Sequence, residues 1–178
     1  MSAFETGLRK NIPAVLIYVF CHFSDGIERV LMIHRDSADR PGDFHAGKWN
    51  GLGGKCEADE SYLEAAVREL EEESTLRLAP EVFKFAGFLQ FPNFKPRKSE
   101  DWSCMLYRAR VDESAALSVP EKNAEGSLHW VKTTEILVLN LWAGDRTFIP
   151  YILAGKAFTG ATWYEHGEVK RHDLTPVG

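Results

Sequence analysis

The stretch from Gly54 to Leu76 constrains this chain more than any other. From about Ser61 to Ser74 the residues have helical spacing, with Leu63, Ala66, Val67 and Leu70 on one core-facing stripe. On the adjacent face Glu69, Glu72 and Glu73 stand at i, i+3 and i+4, so three carboxylates lie side by side. Like charges at that spacing cost stability unless something positive neutralises them. A hard divalent cation suits the role, because Mg2+ takes oxygen ligands and is commonly shared between carboxylates and substrate phosphates. Mn2+ has the same donor preference. The plain alternative is a solvated Glu-rich helix face, which is common in proteins that bind nothing there.

The remaining composition narrows the partner. A chain of 178 residues, 44% apolar, suits one domain spanning 1–178 with a full-sized core. A net charge of -5 argues against broad binding of nucleic acid or an anionic membrane. It leaves room for a phosphorylated small molecule whose charge is met by bound cations. Cys21, Cys56 and Cys104 are odd in number and lack metal-ligand spacing, which fits reduced, dispensable thiols and a cytoplasmic setting. Ile12 to Phe20 follows Arg9 and Lys10 but is too short to span a bilayer and is not followed by a small-residue cleavage site. It reads as a buried strand.

Taken in order, Ala14 to Phe23 and Glu28 to His34 read as a hairpin around Ser24-Asp25-Gly26. Arg35 to Gly47 reads as a loop, and the glycines of Lys48 to Lys55 permit close backbone approach at the entry to the helix. Pro80 confirms the break after that helix, near Thr75. Val82 to Phe91 and Trp102 to Val111 read as strands, with Pro92 to Asp101 a basic loop between them. Asp112 to Gly126 is polar and loop-like, and Leu128 to Val131 is a short strand. Asp145 to Leu153 has helical spacing, with Pro150 expected to limit or kink it. Ala157 to Tyr164 and Glu168 to Leu174 form a closing hairpin. Strands mixed with two helices give an α/β or α+β sheet-and-helix domain.

Glycine at 54, Glu60, Arg68-Glu69-Leu70, Glu72-Glu73 and the apolar Leu76 together resemble the signature of the Nudix hydrolases. One position departs: Thr75 stands where that family usually has glycine, which implies a different loop or local strain. The resemblance implies an α/β/α sandwich with the signature as a loop-helix-loop. It extends over about 30–174, where Ala46 to Lys55, Leu141 to Asp145, Phe148 to Tyr151 and Lys156 to Gly160 are similar to the mammalian-type oxidised purine nucleoside triphosphatases. Those enzymes convert 8-oxo-dGTP and related nucleotides to the monophosphate and pyrophosphate.

Carried over by position, the resemblance implies Trp142 stacked on a purine, Phe44 lining the opposite side, and Asn50 and Asp145 hydrogen-bonded to the base edge. It implies that Glu69, Glu72 and Glu73, with the Gly53 or Gly54 carbonyl, hold Mg2+. Arg68 pairs with and orients Glu72, and Glu60 anchors the loop. Glu72, Glu69 and the off-helix Glu125 are all open as general base. The similar enzymes have two adjacent aspartates where this chain has Gly144-Asp145, a methionine where it has Gly126, and a shorter loop at Asp36 to Gly42. These departures bear on the choice between oxidised purines, plain guanine and another base, not on the ligand set. Two other readings share the signature: a nucleoside diphosphate sugar hydrolase, and a catalytically silent nucleotide-binding module.

Overall fold

The computed structural model describes residues 7–36, 42 and 45–178. Its centre is β1 (Lys10–His22), which is covered on both faces. Alternation along this strand sends Val15, Ile17, Val19 and Cys21 to one core and Ala14, Tyr18 and Phe20 to the other. That pattern requires a layer of packing on each side of the sheet.

β1 pairs antiparallel with β2 (Glu28–His34) at Phe20 to His22. On its other edge it runs parallel to a strand met later, β5 (Glu100–Val111), over its whole inner length. The start of β1 lies four residues earlier than hydropathy indicates, because Lys10 to Pro13 are held by their ladder to Glu100 to Ser103 rather than by burial.

Below Phe20 the strands β1 and β2 diverge, and residues 49–55 fill the gap. β3 (Trp49–Asn50) pairs with the end of β2, and Leu52 bridges Ile17. The Val15 N–H donates to the Gly54 carbonyl at 2.8 Å, and the Ile17 and Leu52 amides exchange bonds at 2.7 and 3.1 Å. The glycine-rich segment is therefore part of the sheet, which holds its backbone in place.

α1 (Tyr62–Ser74) follows, with Ser61 as N-cap and Glu64 completing a capping box. Its buried face is Ala65, Ala66 and Leu70, with Glu73 and Ser74. The expected stripe is thus rotated: Leu63 and Val67 are only half-buried flanks, and the acidic face turns inward at Glu73. Thr75 ends the helix in the left-handed region at φ 64°. This is the strain expected where a β-branched residue takes a glycine position.

β4 (Lys84–Lys95) runs antiparallel to β5 and continues through Pro92. The expected loop from Pro92 to Asp101 is therefore mostly strand, turning only around Pro96–Lys98. Proline is tolerated because the pairing shifts between Phe91 and Lys95, with Asn93 at φ 53°, and a bulge needs no ladder donor there. A short helix, α2 (Glu113–Leu117), replaces part of the loop expected over Asp112 to Gly126; the Asp112 carboxylate caps it by accepting from the Ala115 N–H.

β6 (Ser127–Lys132) adds to the free edge of β2. α3 (Asp145–Ala154) passes through Pro150 without ending. Burial of Phe148, Ile149 and Ile152 against the sheet offsets the cost of the missing amide donor, about 3 kcal/mol. β7 (Phe158–Glu165) and β8 (Glu168–Pro176) close the sheet as a hairpin. The order is β3-β2-β1-β5-β4-β7-β8, with β6 beside β2. α1 and α2 cover one face and α3 the other. No described helix is long and apolar enough to cross a membrane.

Candidate active site

Local geometry around α1 builds one end of a cleft of about 540 Å3. The Gly53 N–H donates to Glu73 Oε2 at 2.8 Å. A side chain at Gly53, whose φ is +137°, would strike the Val15 carbonyl, and one at Gly54 would come within 2.5 Å of Glu69 Oε1. Both glycines therefore let the sheet backbone press directly on two helix carboxylates.

Glu73 is only 7% exposed. Burial pushes its carboxyl up to about 8, reinforced by Glu69 and Glu125 and opposed by the Gly53 N–H and Arg35. Glu69 is also raised, by burial first, with the Arg68 guanidinium opposing. Glu72 is exposed.

Arg68 does more than pair with Glu72. Its fork grips Glu60 at 2.7 and 2.9 Å, and it reaches Glu69 at 2.9 Å, Glu72 at 3.2 Å and the Lys55 carbonyl at 3.1 Å. The bidentate contact holds the Glu60 carboxyl down to about 2. The Glu60 carboxylate also accepts from the Glu57 N–H, so Arg68 and Glu60 together tie the entry loop to the helix.

Two further groups reach this end of the cleft from outside the signature. Arg35, at the end of β2, forms an ion pair with Glu125. Asn123 donates to the Glu73 carbonyl at 2.8 Å and accepts from the Glu125 N–H at 2.7 Å, which carries Glu125 to the same cleft as Glu73. Neither Arg35 nor Asn123 was legible in the sequence, since nothing local marks a residue whose partner lies about 50 or 90 positions away.

The donor set suits a hard cation. Three carboxylates share the end of the cleft, while the nearby guanidiniums of Arg68 and Arg35 are engaged by Glu60 and Glu125. The Gly54 carbonyl accepts one bond and retains a second lone pair. The carboxylates share a face without closing on a point: among the described residues, no three His, Cys, Asp or Glu side chains are gathered tightly enough to hold an ion as they stand. Glu72, which also lines the cleft, is the most exposed of the three.

The other end of the cleft is aromatic. Trp142, Phe91, Phe94, Trp102 and Tyr164 line it, together with Asn50 and Asp145. Lys48 Nζ lies 5.1 Å over the Trp142 ring, and His45 meets that ring edge-on at 5.3 Å. Asp145 opens α3 at 7% exposure; burial pushes its carboxyl up to about 7, with Lys48 and Arg146 opposing. Among the described residues, Asn50 Oδ1 is buried with no hydrogen-bond partner, as is the Tyr18 hydroxyl, which lies off the cleft lining. Asn50, Trp142 and Asp145 thus line one cleft, whereas Phe44 lies outside the described residues. Tyr164, which also lines the cleft, was not legible in the sequence, because its contacts come from other elements.

A second hollow, about 1210 Å3, runs along the outer flank of α1 past Leu63, Val67, Glu71 and Arg77. It gathers neither the glycine backbone nor the aromatic groups. All three cysteines are free, Cys21 and Cys104 being buried.

Comparison with protein families matches the chain to the NUDIX domain over residues 10–152. Among curated proteins, the oxidized purine nucleoside triphosphate hydrolase of Danio rerio is 31% identical over 135 residues, 75% of this chain and 81% of that protein. The protein of the same description from Mus musculus is 29% identical over 117 residues, 66% of this chain and 70% of its own length. Among solved structures, a MutT protein from Bacillus halodurans superposes with a TM-score of 0.72 at 24% identity, over 92% of this chain and 97% of that one. The NUDIX domain of Shewanella oneidensis NrtR, solved with ADP ribose, gives 0.66 at 18% identity, over 87% and 99%. At those identities the structural likeness concerns the fold.

Proposed function

The chain belongs to the Nudix family of hydrolases, which act on pyrophosphate bonds, and we propose that it is a divalent-metal-dependent hydrolase of purine nucleoside triphosphates. Guanine-type substrates such as 8-oxo-dGTP or dGTP are cleaved to the nucleoside monophosphate and pyrophosphate. One observation carries this reading: a single cleft joins an acidic, glycine-backed end to an aromatic end that holds a buried aspartate. The names of the two vertebrate relatives support the purine triphosphate class.

Glu69, Glu72 and Glu73, with the Gly53 or Gly54 carbonyl, would hold Mg2+ or Mn2+. A cation there also relieves the burial cost that raises the Glu73 carboxyl. Bound there, such an ion would supply Lewis-acid polarisation of phosphate oxygens and a lowered pKa for water. The residues themselves do the positioning. The Gly53 N–H holds Glu73, and Arg68 holds Glu69, Glu72 and the entry loop in register. A carboxylate from Glu72, Glu69 or Glu125 accepts the proton of the attacking water. The new P–O bond forms as the bridge between the first and second phosphates breaks. Trp142 stacks on the base, Asp145 accepts from its N1–H and N2–H edge, and Asn50 adds a polar contact.

The test is Mg2+-dependent pyrophosphate release from 8-oxo-dGTP, dGTP, dATP, dCTP and ADP-ribose side by side. Guanine triphosphates are expected to lead. If ADP-ribose outruns every triphosphate, the chain is a nucleoside diphosphate-X hydrolase. No turnover of any of them would make it a silent binding module, although all three signature carboxylates are present.

A further inference from the structure

We propose that Tyr164 reads the base: its hydroxyl fills the space that a side chain at position 144 would occupy and donates a hydrogen bond to the exocyclic oxygen of a bound 6-oxopurine. This rests on the assignment of the aromatic end of the cleft to a purine and names the residue that chooses among purines.

Tyr164 stands near the end of β7 and lines the same cleft as Trp142 and Asp145. Its ring packs against the Phe91–Phe94 pair, with centroids 6.2 and 5.7 Å away, so packing restrains where the hydroxyl points. The Gly144 N–H donates to that hydroxyl oxygen at 2.8 Å. A Cβ on residue 144 would collide with the same oxygen, lie 3.0 Å from Cζ and come within 3.2 Å of Thr162 Cγ2. Glycine at 144 and tyrosine at 164 therefore fit as a pair. The polar group beside Asp145 is delivered from β7 across the cleft rather than from the start of α3.

The chemistry of that group follows from its lone pairs. One is taken by the Gly144 N–H, which leaves the O–H hydrogen to be given away. Among the described residues, the Gly144 N–H is the one hydrogen-bond partner found for this hydroxyl. Burial, and then the charge of Asp145, hold the phenol well above its ordinary pKa, so it remains a donor at any physiological pH. Asp145 next to it, when ionised, only accepts.

A donor beside an acceptor selects a base edge with an acceptor beside a donor. Guanine and hypoxanthine offer O6 and then N1–H, which match Tyr164 and then Asp145. Adenine offers an amino donor and then a bare N1. It would set donor against donor at Tyr164 and lone pair against carboxylate at Asp145. The competing account is purely architectural: Tyr164 caps the first turn of α3 and touches no ligand.

Tyr164→Phe separates the two, because it keeps the ring and removes only the hydroxyl. Binding of guanosine, inosine and adenosine monophosphates, followed by quenching of tryptophan fluorescence, reads the base without requiring turnover. The guanosine-to-adenosine preference is expected to fall about fivefold in Tyr164→Phe, and the inosine-to-adenosine preference by the same factor, since inosine keeps O6 and loses only the 2-amino group. Gly144→Ala should displace the hydroxyl and lower both preferences in the same direction. Unchanged preferences in Tyr164→Phe overturn the proposal, whether or not the melting temperature drops. If triphosphates are hydrolysed but the preferences do not move, this inference falls and the proposed function stands. If the preferences move but no triphosphate is hydrolysed, the reverse holds. If none of the monophosphates quenches, the purine site itself is wrong and both fall.

Discussion

The two ends of the cleft are built in opposite ways. At the phosphate end most polar side chains already have a protein partner: Glu73 on the Gly53 amide, Arg68 on Glu60, Glu69 and Glu72, Glu125 on Arg35. Most of those contacts join residues within one stretch of the chain. At the base end Asn50 Oδ1 is buried without a hydrogen-bond partner among the described residues, and Asp145 is buried with its carboxyl raised. Its lining comes from β3, β4, β5, β7 and α3. A buried polar group lacking a partner costs about 1–3 kcal/mol, and a ligand that supplies the partner recovers that cost. On the proposed reading, the acidic end is held by contacts among its own side chains, while the aromatic end offers a buried polar group that a matching base would satisfy.

If that contrast is right, perturbing the phosphate end should lower rates for every base alike. Glu72→Gln removes one charge at nearly constant volume and is expected to reduce kcat by about 10²–10⁴-fold for guanine and adenine triphosphates equally. The fold should survive, since Glu72 is exposed and, among the described residues, is held by Arg68 alone. Full activity with Mg2+ present would refute the metal site.

The base end should do the reverse. Asp145→Asn puts an amide where an acceptor-only group stood, and should cut kcat/KM for dGTP relative to dATP by about 10–100-fold. Unchanged ratios would remove Asp145 from base reading and leave the hydrolase chemistry untouched.

Acidification offers a gentler probe of the same contrast. Burial raises the Asp145 carboxyl to about 7, so the guanine preference should fall as pH drops through 7, at most tenfold per unit. Stability carries the opposite sign. With a folded pKa above the unfolded value near 3.9, the folded state binds more protons between about pH 4 and 7 and loses stability as pH rises through that window. Urea unfolding at pH 5 and pH 7.5 should show a larger loss for wild type than for Asp145→Asn, which has no such proton to release. Equal losses would mean that Asp145 titrates normally.

The smallest effect should touch neither end. Thr75 holds φ 64° at the C-cap of α1, so Thr75→Gly is expected to stabilise the protein by about 1 kcal/mol and leave both kcat/KM and base preference alone. A lower urea midpoint would show that the threonine side chain contributes contacts outweighing its backbone strain.

Much of this molecule could be read along the chain because helices and hairpins are short-range objects. The i, i+3, i+4 carboxylates, the end of α1 at Thr75 and the hairpin turning at His166 and Gly167 depend on residues within a few positions of one another. The family resemblance rests on that same local spacing. Where the reading failed, the deciding partner was distant. Pro92 does not break β4 because β5 leaves a bulge opposite it, and Pro150 does not break α3 because the sheet buries Phe148 and Ile152.

The sequence by itself therefore determined which carboxylates share a helix face, where that helix begins and ends, and that glycines lead into it. Tertiary structure alone decided what those groups became. Wedging residues 49–55 between β1 and β2 brings the Gly53 amide to Glu73, removes that carboxylate from water and raises its pKa. Closing the sheet with β7 sets the Tyr164 hydroxyl against Gly144, 20 positions earlier, beside the buried Asp145. A spacing rule identifies groups on one element, but burial and the meeting of groups from different elements exist only once the layers have packed.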